Sequence, residues 1–362
     1  MVDSNIIQCR GVYKKLDKKL VLNNINLNIN NGEIFGLIGV SGAGKTTLLR
    51  CLIGFYKLDK GSVLFKNENI AANAKKIRKI FAFATQDNCF YEKLTVQENL
   101  YYFGKLYGLK KEQIKITAKN LLALVELSES ESTLAKDLSG GMKRRLDMAC
   151  ALMHDPKILI LDEPTAGLDP TLRKHMWGLI QRINQGGVTI IVSSHLLSEI
   201  EHLCNRIGII NDGELLKVGP PDQLKMQYCK DTEIKLETQP GNYAKIMKEL
   251  KKVSLPINYI TEKEHKLVIY TPQAEVVMHQ LLLALRSLRE HLIDLDVDKA
   301  TLIEVFEALT EKQSMRGADE EKVLAYVKGA ITKGFTKDQI RFLLLKQGWP
   351  EDTINAAMIK LT

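Results

Sequence analysis

Residues 36–47, Gly-Leu-Ile-Gly-Val-Ser-Gly-Ala-Gly-Lys-Thr-Thr, constrain this chain more than any other stretch, because they contain G-x-x-x-x-G-K-T from Gly39 to Thr46. The apolar run 33–38 predicts a strand leading into the loop, and Leu48, Leu49, Leu52 and Ile53 predict a helix leaving it. Strand, glycine loop and helix together form the context in which this motif wraps a phosphate group. Along Gly39, Ser41, Gly42, Ala43 and Gly44 the backbone can curl so that successive N–H groups point inward. The new helix then presents its positive N-terminal end to the anion. Lys45 would reach the β- and γ-phosphates, and the Thr46 hydroxyl would ligate Mg²⁺. A plain glycine turn before a helix leaves the Gly-Lys-Thr triplet unexplained. The stretch predicts a nucleotide site.

At 362 residues the chain is too long for one ordinary domain and suggests two or three. Its 45% hydrophobic and 26% charged residues are those of a globular protein. No stretch approaches the roughly 18–20 apolar residues of a membrane span. The opening Met-Val-Asp-Ser-Asn has no basic region followed by an apolar core, so no signal peptide is expected. Six scattered cysteines without a C-x-x-C pair suggest reduced thiols rather than a metal framework. The net charge of +8 could favour an anionic membrane surface or nucleic acid, though spread over this length it more often reads as a solvated surface.

Several further residues bear on the phosphate site. Tyr13, shortly after an expected strand at 6–12, could stack on a base or simply pack. Gln86, at the end of an expected strand at 80–85, could touch Mg²⁺ or an attacking water, or be an ordinary loop residue. Residues 95–154 read as helical, with a capping box at Thr95 and Glu98. Within them Ser139 is a good N-cap before Gly140 and Gly141. Glycines so early in a helix cost about 1 kcal/mol each against alanine, a cost that makes sense if phosphate must approach the backbone. Residues 157–162 form an apolar strand ending in Asp162, which suits a Mg²⁺ shell. Glu163, one step on, could accept a proton from water. His195 follows the core-type strand 187–193, placing it on the ligand side of an open α/β sheet. Asn211-Asp212-Gly213 predicts a hairpin turn.

In this order the motifs resemble those of the ATP-binding-cassette (ABC) ATPases, over residues 6 to about 228. The resemblance makes Gly39–Thr47 the Walker A loop, closing on Thr47, with Gln86 the Q-loop and 138–142 the signature. Residues 158–162 resemble Walker B, Glu163 the catalytic carboxylate, 167–169 with Asp169 the D-loop, His195 the switch histidine and Tyr13 the adenine-stacking aromatic. Met142 departs from the glutamine of many members. With Lys143-Arg-Arg-Leu after it, it resembles the drug-, lipid- and polysaccharide-exporting branch. The implied fold is α/β: a RecA-like core with an antiparallel β subdomain and a helical lobe at about 88–155, in a nucleotide-binding domain at 1–230. The implied cofactors are ATP and Mg²⁺. The implied partners are a second ABC subunit, identical or not, arranged head-to-tail, and a multi-span membrane permease. Ser139, Gly140 and Gly141 of one subunit would then close on the phosphate held by Lys45 of the other, and His195 would hold the γ-phosphate. The implied location is cytoplasmic, on the inner face of the cell membrane.

Residues 231–311 read as β-α-β-β-α-β and a closing helix, which suggests a ferredoxin-like accessory domain. Residues 312–319 read as a linker around Gly317, and 320–362 as a small three-helix module with Phe335 and Trp349 as packing anchors. The whole suggests the ATPase subunit of an exporter. The alternative is a non-transport ABC ATPase acting on ribosomes or DNA. Such proteins usually carry two cassettes or a long coiled coil, and this chain has one cassette and a short insertion.

Overall fold

The computed structural model describes residues 5–72, 79–85, 89–228, 231–263, 266–298 and 301–332, with single positions 340, 341, 344, 349, 353, 354 and 358 beyond them. Two compact units divide the chain, Met1–Leu302 and Ile303–Thr362.

The first unit opens with a long hairpin of β1 (Asn5–Leu16) and β2 (Lys19–Asn30). Its two-residue turn, Asp17-Lys18, takes φ of 46° and 68°, the left-handed geometry that matches strand twist. Tyr13 lies inside β1, not after it, because alternating partners on β2 carry the strand to Leu16. Then come β3 (Ile34–Ile38), α1 (Lys45–Leu52), β4 (Lys60–Phe65), β5 (Glu68–Asn69) and β6 (Phe81–Ala84). Strands β1, β2, β4 and β5 form one antiparallel sheet, in the order β2-β1-β4-β5.

A helical lobe follows: α2 (Val96–Leu106), α3 (Lys111–Leu124) and α4 (Gly140–Leu152). Helix α2 starts at the expected capping box. Glu98 N–H donates to Thr95 Oγ1 at 3.1 Å, and Thr95 N–H donates to Glu98 Oε2 at 2.8 Å. Leu100 of α2, Ile114 and Leu122 of α3 and Leu146 of α4 are buried, whereas Leu106 and Tyr107 at the end of α2 are exposed.

The chain returns through β7 (Ile158–Asp162), α5 (Pro170–Gln185), β8 (Thr189–Ser194), α6 (Leu197–Leu203), β9 (Arg206–Asn211), β10 (Glu214–Gly219) and α7 (Pro221–Tyr228). The second sheet has the order β10-β9-β3-β8-β7-β6, parallel except for the β9–β10 hairpin. Every residue of β3, β7 and β8 is buried. That is why these segments read as unbroken apolar runs rather than alternations. Phe35, Leu48, Leu49, Ile160 and Ile191 share one core with Ile7, Ile25 and Ile29 of the first sheet, so α1 is clamped between the two sheets.

Residues 232–298 hold β11 (Thr232–Gln239), α8 (Tyr243–Leu250), β12 (Tyr259–Lys263), β13 (Lys266–Thr271), α9 (Ala274–Leu288) and β14 (His291–Asp298). They form an antiparallel sheet of order β12-β13-β11-β14, the β-α-β-β-α-β succession that the sequence suggests. Ile246, Leu250, Val277, Leu281 and Leu285 of the two helices pack with Ile234, Leu236, Leu267 and Ile269 of the sheet.

The expected linker at 312–319 is not a linker. Helix α10 (Leu302–Thr332) runs through it without a break. Apart from Gly317 the stretch consists of helix-compatible residues, and one glycine costs a helix only about 1 kcal/mol. The second unit buries Val323 and Val327 of α10 with Ile340, Leu344 and Ile354, and Trp349 packs against them. Phe335 lies outside the described residues.

Candidate nucleotide-binding site

The carboxyl ends of β3, β7 and β8 lie side by side, and the loops that leave them build the site. From β3 the chain turns through residues 39–44 into α1. Gly44, at φ 106°, starts the helix in a backbone conformation that side chains disfavour. Gly39 is required for space, because a Cβ there would stand 2.2 Å from the Ile210 carbonyl oxygen. The expected turn at Asn211-Asp212-Gly213 sits directly behind this loop, and Gly213 N–H donates to the Ala43 carbonyl at 3.0 Å.

A cleft of about 370 Å³ opens in front of the loop. It is lined by Ser41, Gly42, Gly44, Lys45, Thr46, Thr47, Glu163 and His195, with Val21 and Ala166 at its walls. Lys45 is only 7% exposed, and its ammonium donates to the carbonyls of Gly39 at 2.8 Å and Val40 at 3.2 Å. Glu163 Oε1 lies 3.6 Å from the same ammonium. On its other side, Glu163 Oε2 is 2.8 Å from His195 Nδ1. One carboxylate therefore bridges a lysine that is almost fully buried and a histidine whose side chain is 53% exposed.

That carboxylate is held by backbone strain and by β8. Glu163 adopts φ of 52°, a left-handed conformation that costs a non-glycine residue about 1–3 kcal/mol. Its N–H donates to both the carbonyl (3.2 Å) and the hydroxyl (3.1 Å) of Ser193, which offset part of that cost. The same Ser193 hydroxyl donates to Asp162 Oδ1 at 2.5 Å, so one buried serine orients both acids. Sequence reading passes over Ser193. Its only signal is position, one step before the end of a strand neighbouring β7.

The remaining candidates stand apart from the cleft. Asp162, 5% exposed, ends β7 beneath it, and Ala43, also buried, closes the loop by donating its N–H to the Val40 carbonyl at 3.2 Å. Tyr13 is not among the lining residues, and its ring lies 5.8 Å from the Lys60 ammonium. Asp169 caps α5, accepting from the N–H groups of Thr171 (2.9 Å) and Leu172 (3.0 Å). Ser139 caps α4, its hydroxyl accepting from Met142 N–H at 3.4 Å. Gly140 has open space where a Cβ would be, whereas a Cβ on Gly141 would meet Leu172 of α5 at 3.2 Å. The two glycines thus have different reasons: Gly141 lets two helices of one chain approach, and Gly140 leaves its backbone uncovered. Gln86 lies outside the described residues.

A glycine loop ending at a helix start, with a buried lysine beside it, has the chemistry of an anion cradle for a polyphosphate. The comparisons agree with this chemistry. Residues 22–166 match the ABC transporter family. The chain is 33% identical over 305 residues to the linearmycin resistance ATP-binding protein LnrL of Bacillus subtilis (strain 168), covering 84% of this chain and 98% of that one. The chain is an ABC transporter ATP-binding protein. Another ABC relative, the Nod factor export ATP-binding protein I of Rhizobium sp. (strain N33), is 37% identical over 230 residues, 63% of this chain and 76% of that protein. Among solved ABC structures, cbiO1 from Clostridium perfringens, part of the ABC transporter complex cbiONQ, superposes with a TM-score of 0.59 at 27% identity. It covers 62% of this chain and 92% of that one. An ATP-binding subunit of an ABC transporter gives a TM-score of 0.56 at 26% identity, covering 62% and 93%. ABC proteins of this family are nucleotide-binding ATPases, and no helix among the described residues of this one is long and apolar enough to cross a membrane.

Proposed function

We propose that this chain hydrolyses ATP as the nucleotide-binding subunit of an exporter, pairing head-to-tail with a second subunit to drive a separate membrane permease. The observation that carries the reading is Glu163, held between Lys45 at 3.6 Å and His195 at 2.8 Å in the mouth of the phosphate cradle. Residues 39–47 bind the phosphates, and Lys45 neutralises the β- and γ-oxygens. Glu163 accepts the proton of the attacking water, and His195 orients the γ-phosphate beside it. Gln86 would contribute to positioning the water and to holding Mg²⁺, and Tyr13 would stack on the base.

No group of three His, Cys, Asp or Glu side chains among the described residues could hold a metal by itself. The Thr46 hydroxyl and Asp162 are the residues that would hold Mg²⁺ beside the phosphates. When bound, Mg²⁺ would supply neutralisation of charge on the phosphate oxygens. Ser139 and the uncovered backbone of Gly140 reach the γ-phosphate of the opposite subunit, and Asp169 lies at the same junction. Exporter function is supported by the relatives whose names record Nod factor export and linearmycin resistance. The permease would place the chain on the inner face of the cell membrane.

Glu163→Gln tests the chemistry. It should lower kcat by about 10²–10⁴-fold, the usual worth of a positioned general base, while ATP binding persists. Turnover at the parent rate would remove Glu163 from the mechanism.

A further inference from the structure

The loop that begins at Glu163 and the segment that carries His195 are fastened together twice. Near the cleft, Ser193 holds Asp162 and Glu163 against the end of β8. Away from it, Glu199 in the first turn of α6 makes a second fastening. Its Oε2 accepts from Thr165 Oγ1 at 3.2 Å, and its Oε1 accepts from Arg173 Nη1 at 3.1 Å. Arg173, near the start of α5, also donates from Nε to the Leu168 carbonyl at 2.7 Å. One guanidinium therefore holds two points at once: the loop of residues 163–169 through Leu168, and the helix after His195 through Glu199.

The chemistry of the pair suits fixing a position. Thr165 is 1% exposed, and the side chains of Glu199 and Arg173 are 17% and 31% exposed, so the pair is better shielded than an ordinary surface ion pair. The planar guanidinium carries its donors at set angles, which lysine lacks. Thr165, Arg173 and Glu199 do not line the cleft, but Ala166, next to Thr165, does. Leu168 N–H donates to the Thr165 carbonyl at 3.2 Å, closing the loop on itself. A shift of the loop is therefore a shift of Glu163 at its root.

We propose that Arg173 and Glu199 are positioning residues for hydrolysis, bridging the loop rooted at Glu163 to the helix behind His195 and so setting the separation of those two side chains. The proposal rests on the roles given above to Glu163 and His195. The phosphates are held by residues 39–47, which the bridge does not touch. Losing the bridge should therefore slow the chemical step and leave nucleotide affinity alone.

The test measures ATP affinity, KM and kcat for Arg173→Ala and Glu199→Ala in the full-length subunit, with Arg173→Lys as the conservative variant. A catalytic group displaced by about 1 Å can cost up to about 10²-fold. The alanine variants should accordingly lose at least about tenfold in kcat, with affinity and KM within about twofold of the parent. Arg173→Lys keeps the charge but not both bonds, so it should recover part of the rate and guards against an alanine variant that fails to fold. The deciding measurement puts Arg173→Ala into a His195→Ala background. If Arg173 acts through the Glu163–His195 geometry, its removal there should change the residual rate less than about twofold. A full multiplicative loss in that background, or an affinity loss equal to the kcat loss, would overturn the proposal. So would unchanged kcat in both alanine variants. If His195→Ala and Glu163→Gln themselves turned over like the parent, the underlying reading would have failed instead, and the two failures are distinct.

Discussion

Asp147 shows how a single side chain can make the stability of this fold depend on pH. It is 3% exposed on α4, and its Oδ1 accepts from Cys89 N–H at 2.7 Å. Burial pushes its carboxyl up to about 6, against the opposing pull of the Cys89 N–H and the Arg144 guanidinium. A folded pKa above the unfolded one means that the folded state holds this proton more tightly. Stability from this group is full below about pH 4, falls as pH rises through the window from about 4 to about 6, and is flat above it. A shift of that size corresponds to roughly 3 kcal/mol. Asp147→Asn keeps the acceptor oxygen and removes the charge. It should raise the denaturant midpoint at pH 7.5 and raise it much less at pH 4.5. An equal change at both pH values would show that the charge is not the cause. Nothing around position 147 in the sequence signals this, because Cys89 is 58 residues away and burial is a property of the packed chain. Ser193, Arg173 and Glu199 escaped sequence reading for the same reason: each acts across strands or loops roughly 25–35 residues apart in sequence. The phosphate loop was legible because its strand, glycines, lysine and helix are contiguous.

Helix α4 separates two kinds of glycine that are indistinguishable in sequence. At Gly140 a methyl group meets nothing within 4 Å, so Gly140→Ala should raise Tm by an amount equivalent to about 0.5–1 kcal/mol. It should also lower ATPase activity if the opposite subunit's phosphate comes to this backbone. Gly141→Ala must displace Leu172 from a 3.2 Å contact, so its gain in Tm should be smaller or reversed. Thermal melts and steady-state hydrolysis on the two variants separate the helix effect from the site effect. A Gly140→Ala protein with full activity would remove the phosphate from that position. Helix α10 teaches the converse lesson about elements. Its run through 312–319 was hidden because one glycine in a polar stretch looks like a break, while helix continuity depends on the summed preference of its neighbours.

At the scale of the whole molecule, Ser139 does not line the cleft in front of the phosphate loop, so the shared site proposed above would need two copies. Lys45→Ala and Ser139→Arg subunits should each be inactive alone. Mixed in equal amounts, they should recover about a quarter of the parent rate, since half the pairs are mixed and each carries one intact site. No recovery in a mixture shown to form pairs would argue that each subunit works within itself. Isolation under mild detergent should bring down a multi-span protein, and ribosomal or chromosomal partners without one would point to the non-transport alternative. The left-handed backbone at Glu163 has one more consequence, for how such a chain evolves. Glycine would relax the backbone there by about 1–3 kcal/mol, but it would discard the carboxylate and leave the Lys45 ammonium without its partner at 3.6 Å. If Glu163 has the role proposed above, backbone comfort and turnover pull in opposite directions at this residue. A library of variants ranked only by survival on heating would enrich inert proteins there, and one ranked by work done would retain the less comfortable acid.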